Sequence, residues 1–237
     1  MPCNNCECPF QVIRDFDNLL SAAERDCVLN DSVQHVEFGD GEVLFMQGQP
    51  SNFLYAVTDG MVKICTHSAD GREQIVGLSS PDQLLVGLQS IESDNYAYSA
   101  ITATKVKACK INHRNLLACI RDKSDLGLRL IHAVNAQLAH SRALMEVLGH
   151  KCAAGKIAAF ILLMTPKSEH GNCRFALPFS RMEMASLLGL SEETVCRVMA
   201  MIHRLGAIDA PRGRMEIRDW NQLHAIAEGS SKVDMVA

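Results

Sequence analysis

The sequence of 237 residues lacks any long apolar run. Its longest uninterrupted apolar stretch, residues 157–164, has eight residues, whereas a helix needs about 20 to span a bilayer. No basic and then apolar leader opens the chain, because it starts with Met-Pro-Cys-Asn-Asn-Cys. We therefore expect a soluble, cytoplasmic protein without a membrane partner.

The sequence also lacks the residue patterns of an enzyme. No paired carboxylates, no nucleophile beside a base and no glycine-rich phosphate loop stand out. Hydrophobic residues make up 48% and charged residues 21%, a balance typical of a globular protein that can bury a core. These features favour a binding protein over a catalyst.

Charge is unevenly distributed along the chain. The net charge is −4, yet residues 150–218 contain ten Lys or Arg and six Asp or Glu, a balance of +4, so the remainder carries −8. A basic C-terminal third on an acidic body is expected when only that third binds phosphate. The distribution favours nucleic acid as the partner of the C-terminal part.

Ten cysteines are many for a chain without a leader. Seven of them stand singly in apolar or helical patterns, where a cysteine usually packs as a small apolar side chain. Cys3, Cys6 and Cys8 instead crowd the first eight residues. In a reducing compartment, core packing, metal binding and redox chemistry are the alternatives for such a group.

The chain begins with a cysteine-bearing segment, residues 1–28, and a short helix is predicted over residues 18–29. The middle of the sequence then predicts β-structure. Three Asp-Gly pairs lie between β-type runs, at residues 40–41, 59–60 and 70–71. Asp-Gly is typical of hairpins, because glycine adopts the positive φ that a type I′ turn needs. The spacing predicts a small antiparallel barrel or sandwich over residues 29–112.

A helical segment over residues 113–150 carries a heptad pattern. Its members are Ile131, Val134, Leu138, Ser141, Met145 and Leu148. A stripe this narrow, with Ser141 as its one polar member, is typical of a coiled-coil seam and favours a homodimer. A helix packed on its own barrel is the alternative.

Two capped helices are predicted in the C-terminal domain, residues 151–237. Ser180 and Glu183 have the spacing of a capping box, which begins a helix that ends near Gly189. Ser191 then caps a second helix over residues 192–204. The tight turn between them makes a helix-turn-helix.

A predicted hairpin over residues 207–218 completes a winged helix-turn-helix, in which the second helix enters the major groove. Its exposed face predicts the DNA-binding residues Glu192, Glu193, Cys196, Arg197 and Arg204. Glu193 can accept from a cytosine amino group, and Arg197 can bind guanine in bidentate fashion. A solvated salt bridge between these two side chains is the alternative.

Residues 189–197, Gly-Leu-Ser-Glu-Glu-Thr-Val-Cys-Arg, resemble the recognition-helix signature of the Crp–Fnr transcription regulators, G-x-[ST]-x-E-T-[VI]-x-R. Residues 41–48 and 54–60 resemble the β-roll repeat of the same family. The resemblance implies an α+β fold with an N-terminal β-roll sensor domain of the cyclic-nucleotide-binding type, a long dimerisation helix and a C-terminal winged helix-turn-helix. It also implies a homodimer on an inverted-repeat promoter site, and contact with RNA polymerase through residues 70–74.

Cyclic nucleotide is not expected as the signal. Sensors of cyclic nucleotides in this family hold the phosphate with Arg followed by Ser or Thr, which supply fixed positive charge and a hydroxyl donor. The corresponding residues 92–100 contain no Arg, and Asn95-Tyr96 stands in its place. Two carboxylates, Glu92 and Asp94, would repel a phosphate.

The oxygen-responsive Fnr branch of the family holds a 4Fe–4S cluster with three N-terminal cysteines and a fourth from the barrel. Cys3, Cys6 and Cys8 resemble the first three, and Cys109 matches the fourth. The resemblance implies a cluster that controls dimerisation and DNA binding in response to oxygen or nitric oxide.

Other interpretations of the thiols stay open. The branch has the spacing C-x2-C-x5-C, whereas one residue separates Cys6 from Cys8, so Cys27 or an outside ligand can replace Cys8. The same thiols can form a redox disulfide, or the N-terminal three can bind zinc or nothing. A further alternative is haem or a small effector in the barrel, with Cys65, His67 and His113 as candidate ligands.

Overall fold

The computed structural model divides into two compact units, residues 1–139 and 140–237. It describes residues 33–68, 73–81, 86–90, 93–122, 124–165, 173–210 and 214–229. The predicted helix over residues 18–29 lies outside this part of the chain, as do Cys3, Cys6, Cys8 and Cys27.

A two-sheet β-roll forms most of the described first unit. Its strands are β1 (Val33–Phe38), β2 (Val43–Phe45), β3 (Phe53–Asp59), β4 (Val62–His67), β5 (Glu73–Ser79), β6 (Ser99–Thr102) and β7 (Val106–Asn112). All of them pair antiparallel, in the orders β1-β7-β3 and β2-β6-β4-β5. The turn spacing predicted a small antiparallel barrel or sandwich, and these two antiparallel sheets confirm that prediction.

Two of the three Asp-Gly turns do not close hairpins, contrary to the prediction. Gly41 lies between β1 and β2, and Gly60 lies between β3 and β4, and in each case the two strands belong to different sheets. A type I′ turn needs positive φ at both central residues, but no described residue other than glycine has it. The strands around residues 70–71, β4 and β5, do pair as expected.

At Gly60 the chain crosses from one sheet to the other and passes close to the backbone of Lys105. Gly60 has a φ of 85°. A Cβ at this position would lie 2.2 Å from the carbonyl oxygen of Lys105, so the crossing has no room for a side chain. Glycine is therefore required here by the sheet-to-sheet crossing and not by a hairpin.

Aromatic side chains fill the core of the β-roll. The rings of Phe45 and Tyr96 stack with centroids 3.7 Å apart, and Tyr55 lies 5.9 Å from Phe45. The Tyr96 hydroxyl donates to the carbonyl of Phe53 at 2.6 Å and accepts from its N–H at 3.2 Å. Hydrogen bonds to the backbone allow a phenol to be buried without leaving its polar atom unsatisfied.

The predicted helical segment over residues 113–150 is two helices rather than one. Helix α1 covers His113–Asp122 and helix α2 covers Ser124–Gly149, with Lys123 outside the described residues. The heptad stripe lies wholly on α2.

The second unit is a winged helix-turn-helix. Its helices are α3 (Ala153–Met164), α4 (Arg181–Leu188), α5 (Glu192–Arg204) and α6 (Trp220–Ala227), and its strands are β8 (Cys173–Ala176), β9 (Ile208–Asp209) and β10 (Arg214–Ile217). Helix α3 buries Ile157, Phe160 and Ile161 and contacts α5 and α6. The predicted wing is confirmed as the antiparallel pair of β9 and β10.

Sequence reasoning missed β8 and α6. Strand β8 pairs with β10, so the sheet has the order β8-β10-β9. Helix α6 begins after Asp219, whose carboxylate accepts from the N–H of Gln222 at 2.9 Å. In the described part of the chain, no helix has the length and apolar character to cross a membrane.

The buried phenol of Tyr55 predicts a loss of stability in alkali. Burial, and to a lesser degree the neighbouring Tyr96, raise the pKa of Tyr55 from 10.0 to about 12. The folded state therefore favours the neutral phenol, and this stabilisation is complete below the unfolded pKa and is lost as the pH rises through 12. We expect the free energy of unfolding, measured with denaturant, to fall between about pH 10 and 12, and Tyr55→Phe to reduce the fall.

Tyr98→Phe is the control for this titration, because Tyr98 is partly exposed. This variant should show the same fall as the parent protein. An equally steep fall in Tyr55→Phe would show that Tyr55 is not the group responsible.

Candidate nucleic-acid interface and sensor sites

Local hydrogen bonds fix the start of each helix in the helix-turn-helix. The Glu183 N–H donates to the Ser180 hydroxyl at 3.1 Å, and the Ser180 N–H donates to the Glu183 carboxylate at 2.8 Å, which confirms the capping box. Gly189 ends α4 in the left-handed region, with φ of 64°. Ser191 then caps α5 by accepting from the Thr194 N–H at 3.1 Å.

Helix α5 has one buried and one exposed face. Val195, Val198, Met199 and Ile202 are buried, as the sequence predicts, and α5 contacts α3 and α4. The opposite face exposes every residue predicted to meet DNA, namely Glu192, Glu193, Cys196, Arg197 and Arg204. The structure thus places all five predicted side chains on one exposed surface of α5. Their contact with DNA stays a prediction.

Glu193 and Arg197 do not form an ion pair with each other in the described part of the domain. Among the residues that the structure describes, neither side chain takes part in an ion pair or a hydrogen bond. Both are exposed near the N-terminal end of α5, the end that enters a major groove in this class of domain. The alternative of an internal salt bridge at this spacing is therefore not favoured.

A charge network that sequence reasoning missed joins the wing to α5. Arg174 on β8 and Arg218 after β10 contact the buried carboxylate of Glu216 at 2.9 and 3.1 Å. Arg218 also contacts Asp209 on β9 at 3.3 Å. Asp209 lies 3.4 Å from the imidazole of His203, in the last turn of α5.

The alternation along β10 is the one local sign of this network in the sequence, and the partner Arg174 comes from a distant strand. Arg214, Glu216 and Arg218 alternate with the buried Met215 and Ile217, so the charged residues share one face of β10. A buried carboxylate needs such partners, because leaving it unpaired in the domain would be costly. The network therefore fixes the wing relative to the end of the recognition helix.

The candidate ligands of a barrel effector do not belong to a metal-binding group of three or more side chains in the described β-roll. The structure describes Cys65, His67 and His113, and no group of three or more His, Cys, Asp or Glu side chains that could hold a metal ion occurs among the described residues. The imidazole of His67 contacts Ser99 and Glu73 instead, at 3.4 and 3.7 Å.

Tyr96, which stands where a cyclic-nucleotide sensor has its serine or threonine, points into the barrel core. Its ring is 4% exposed and stacks on Phe45. Its backbone is held by Gln49, whose carbonyl accepts from the Tyr96 N–H at 2.8 Å. This part of the barrel interior is occupied by the protein's own side chains.

Cys109 lies on the outer face of β7. Val106 and Ala108 on the same strand belong to the barrel core, and alternation along a strand places Cys109 on the opposite face. It pairs in register with His35 on β1 and with Ala56 on β3. Its sulfur takes part in no disulfide among the described residues, is 1% exposed, and lies 3.7 Å from the Nδ1 atom of His35.

Cys152 has the structural role expected of a single cysteine. Its sulfur caps α3 by accepting from the Gly155 N–H at 3.2 Å. Cys119 and Cys173, also predicted to be structural, have side chains outside the described part of the structure.

The heptad stripe of α2 is exposed along its length. Ser141 is exposed. The apolar members are 38–59% exposed, and they are Ile131, Val134, Leu138, Met145 and Leu148. Leu128 is also 58% exposed, but it lies one residue after position 127, where the heptad spacing would continue the stripe. By contrast, Leu144 and Val147 on the same helix are buried, so the stripe is a separate face.

A β-roll sensor domain joined to a winged helix-turn-helix defines the class of DNA-binding regulators with an N-terminal sensor. Residues 35–123 match the family model of the cyclic nucleotide-binding domain, and residues 155–226 match that of the Crp-like helix-turn-helix domain. The chain belongs to the Crp–Fnr family of transcription regulators.

Similar proteins support the same assignment. The transcriptional activator protein Anr of Pseudomonas aeruginosa is 30% identical over 192 residues, 80% of this chain and 78% of the relative. The nitrogen fixation regulation protein FixK of Bradyrhizobium diazoefficiens is 30% identical over 199 residues, 82% of each chain. The structure of FixK2 from Bradyrhizobium japonicum, 24% identical, covers 82% of this chain and 96% of its own with a TM-score of 0.72.

Arg197→Ala should weaken binding to a cognate DNA site by about 1–3 kcal/mol and relax specificity at one base pair. The physical reason is the loss of a bidentate contact to a guanine. Fluorescence anisotropy with the cognate duplex and single-base variants measures both effects. Arg114→Ala, which removes the same charge from the exposed surface of α1, is the control; equal losses on all sequences would mean that Arg197 contacts phosphate instead.

Proposed function

We propose that the chain is a transcription activator that responds to oxygen or redox state through a 4Fe–4S cluster held by Cys3, Cys6, Cys8 and Cys109. The observation that carries this proposal is the position of Cys109, a reduced and buried thiol on the outer face of the β-roll. Similar proteins named as transcriptional activators, Anr and FnrA, support the activating role.

The chemistry of the described donor fits the proposed group. Thiolates are the usual ligands of iron–sulfur clusters, and Cys109 presents its sulfur away from the barrel core. When bound, such a cluster supplies a group that oxygen or nitric oxide can dismantle. The three N-terminal cysteines lie outside the described residues, so their part in the ligand set stays a prediction.

Cys109 is well placed to influence the helices. Three residues separate it from His113, where α1 begins directly after β7, and α1 contacts β7. Helix α2 follows and carries the exposed stripe. We infer that a ligand on Cys109 acts through this short connection on the stripe, whose burial against a second copy of the chain forms the dimer.

A modest coupling suffices for such a switch. A coupling free energy of about 1–3 kcal/mol changes affinity by about 5–150-fold, so the dimer must be marginal without its signal. Ser141, the polar member of the stripe, weakens an apolar seam and is compatible with this requirement. Two recognition helices about 34 Å apart would then match an inverted-repeat promoter site.

The packing of the barrel disfavours the alternative of an effector bound inside it. Tyr96, Phe45 and Tyr55 fill the core, and residues 93–100 contain no Arg for a cyclic phosphate. A thiol–disulfide switch or a zinc site at the same cysteines is the second candidate, because either would also use the Cys109 sulfur on the outer face of the β-roll.

Anaerobic reconstitution with iron and sulfide tests the cluster. We expect the parent protein to show the charge-transfer absorption of a 4Fe–4S cluster and Cys109→Ser to lose it, because the variant removes one thiolate ligand. Cys65→Ser is the matched control, since Cys65 is the other fully buried cysteine of the described β-roll and should leave the absorption unchanged.

The outcomes separate the candidates. Parent protein without iron would end the cluster proposal, and zinc found by metal analysis would favour a zinc site. A cluster that survives in Cys109→Ser would show that Cys109 is not a ligand.

Leu138→Glu should shift the cluster-loaded protein from dimer to monomer and lower its DNA affinity at least tenfold. The reason is that a carboxylate at the centre of the stripe would have to be buried without a partner in the dimer. Ala139→Glu introduces the same charge at the next, exposed position off the stripe and should remain dimeric. Analytical ultracentrifugation and anisotropy measure both; a dimeric Leu138→Glu protein would place the interface elsewhere.

A further inference from the structure

We infer that His35 is the positioning residue of the Cys109 sulfur, shielding it from solvent and donating a hydrogen bond to it when it is a metal-bound thiolate. The shielding follows from the chain's own geometry. The hydrogen bond to a metal-bound sulfur rests on the proposed function.

The register of the sheet creates this contact. His35 and Cys109 are directly paired residues on the antiparallel strands β1 and β7, although 74 residues separate them in sequence. The Nδ1 atom lies 3.7 Å from Sγ, within reach of a hydrogen bond to sulfur. Side chains of directly paired residues point to the same face of a sheet, so His35 lies beside the sulfur on the outer face.

The two side chains differ sharply in exposure. Cys109 is 1% exposed, whereas His35 is exposed. The small side chain of Ala56, paired with Cys109 on its other side, cannot cover a sulfur atom to the same extent. Of the two residues paired with Cys109, His35 is therefore the one whose side chain lies at the surface.

The chemistry of a ligated sulfur fixes the direction of the hydrogen bond. A cysteine that binds a metal has lost its proton and can only accept. Nδ1 must then carry the proton and donate, as partners of metal ligands commonly do. Hydrogen bonds to the sulfurs and solvent exposure both affect the reduction potential of an iron–sulfur cluster. His35 would therefore control both the hydrogen bond and the exposure at Cys109.

Alkylation of the metal-free protein tests the shielding. The rate at which iodoacetamide modifies Cys109 under argon is measured by mass spectrometry of the peptide that contains it. We expect His35→Ala to accelerate the reaction about tenfold, which corresponds to about 1.4 kcal/mol in the activation barrier. His35→Phe, which covers the sulfur without a polar atom, should restore the slow rate.

Glu37→Ala is the matched control for alkylation. Glu37 lies two residues along the same strand and on the same face, but its carboxylate contacts Lys105 and Lys107 rather than the sulfur. Its removal should leave the Cys109 rate unchanged. Equal rates in the parent protein and His35→Ala would overturn the inference, and so would acceleration by Glu37→Ala as large as by His35→Ala.

Reconstituted protein tests the hydrogen bond. His35→Asn keeps an amide donor near the position of Nδ1, whereas His35→Phe keeps only the cover. We expect the cluster absorption to decay in air at the parent rate in His35→Asn and several-fold faster in His35→Phe. Equal decay in both variants would overturn the hydrogen bond, while absence of iron in the parent protein would refute the proposed function and leave alkylation to decide the shielding.

Discussion

The central position of strand β7 is the constraint on which the first unit depends. Because β7 pairs with β1 on one side and β3 on the other, its alternating side chains serve two purposes. Val106 and Ala108 close the barrel core, while Cys109 and Ile111 face outward and are also buried. The strand then continues directly into α1. One strand thus sets the positions of the core, the buried thiol and the start of the helical segment.

Local chemistry made much of the DNA-binding unit predictable. The capping box at Ser180, the left-handed Gly189 and the cap at Ser191 each depend on residues within a few positions of one another. The same is true of the buried and exposed faces of α5 and of the exposed stripe on α2. These features follow from helix periodicity and from backbone groups at helix ends, which a single sequence contains in full.

Contacts between distant residues were not predictable in the same way. Asp-Gly at residues 40–41 and 59–60 marks turns correctly, but the turn chemistry does not say which strands pair across it. The pairing of His35 with Cys109, and the network through Arg174, Glu216 and Asp209, depends on sheet register between segments far apart in sequence. The register of a strand depends on which face of the whole sheet is buried. It can therefore be assigned only once the sheets are assembled.

The packing of the barrel limits the routes by which a signal can act on this protein. Tyr96 stacks on Phe45, and its hydroxyl is satisfied by the backbone of Phe53, so an effector entering the core there would have to break a stack and two hydrogen bonds. On the outer face of β7, by contrast, a ligand on the Cys109 sulfur would leave that stack and those two hydrogen bonds intact. The interior of this β-roll is thus filled around Tyr96, while β7 continues directly into α1. Under the proposed function, chemistry at the outer face of β7 would reach the exposed stripe of α2 through this connection and leave the packing of the barrel core unchanged.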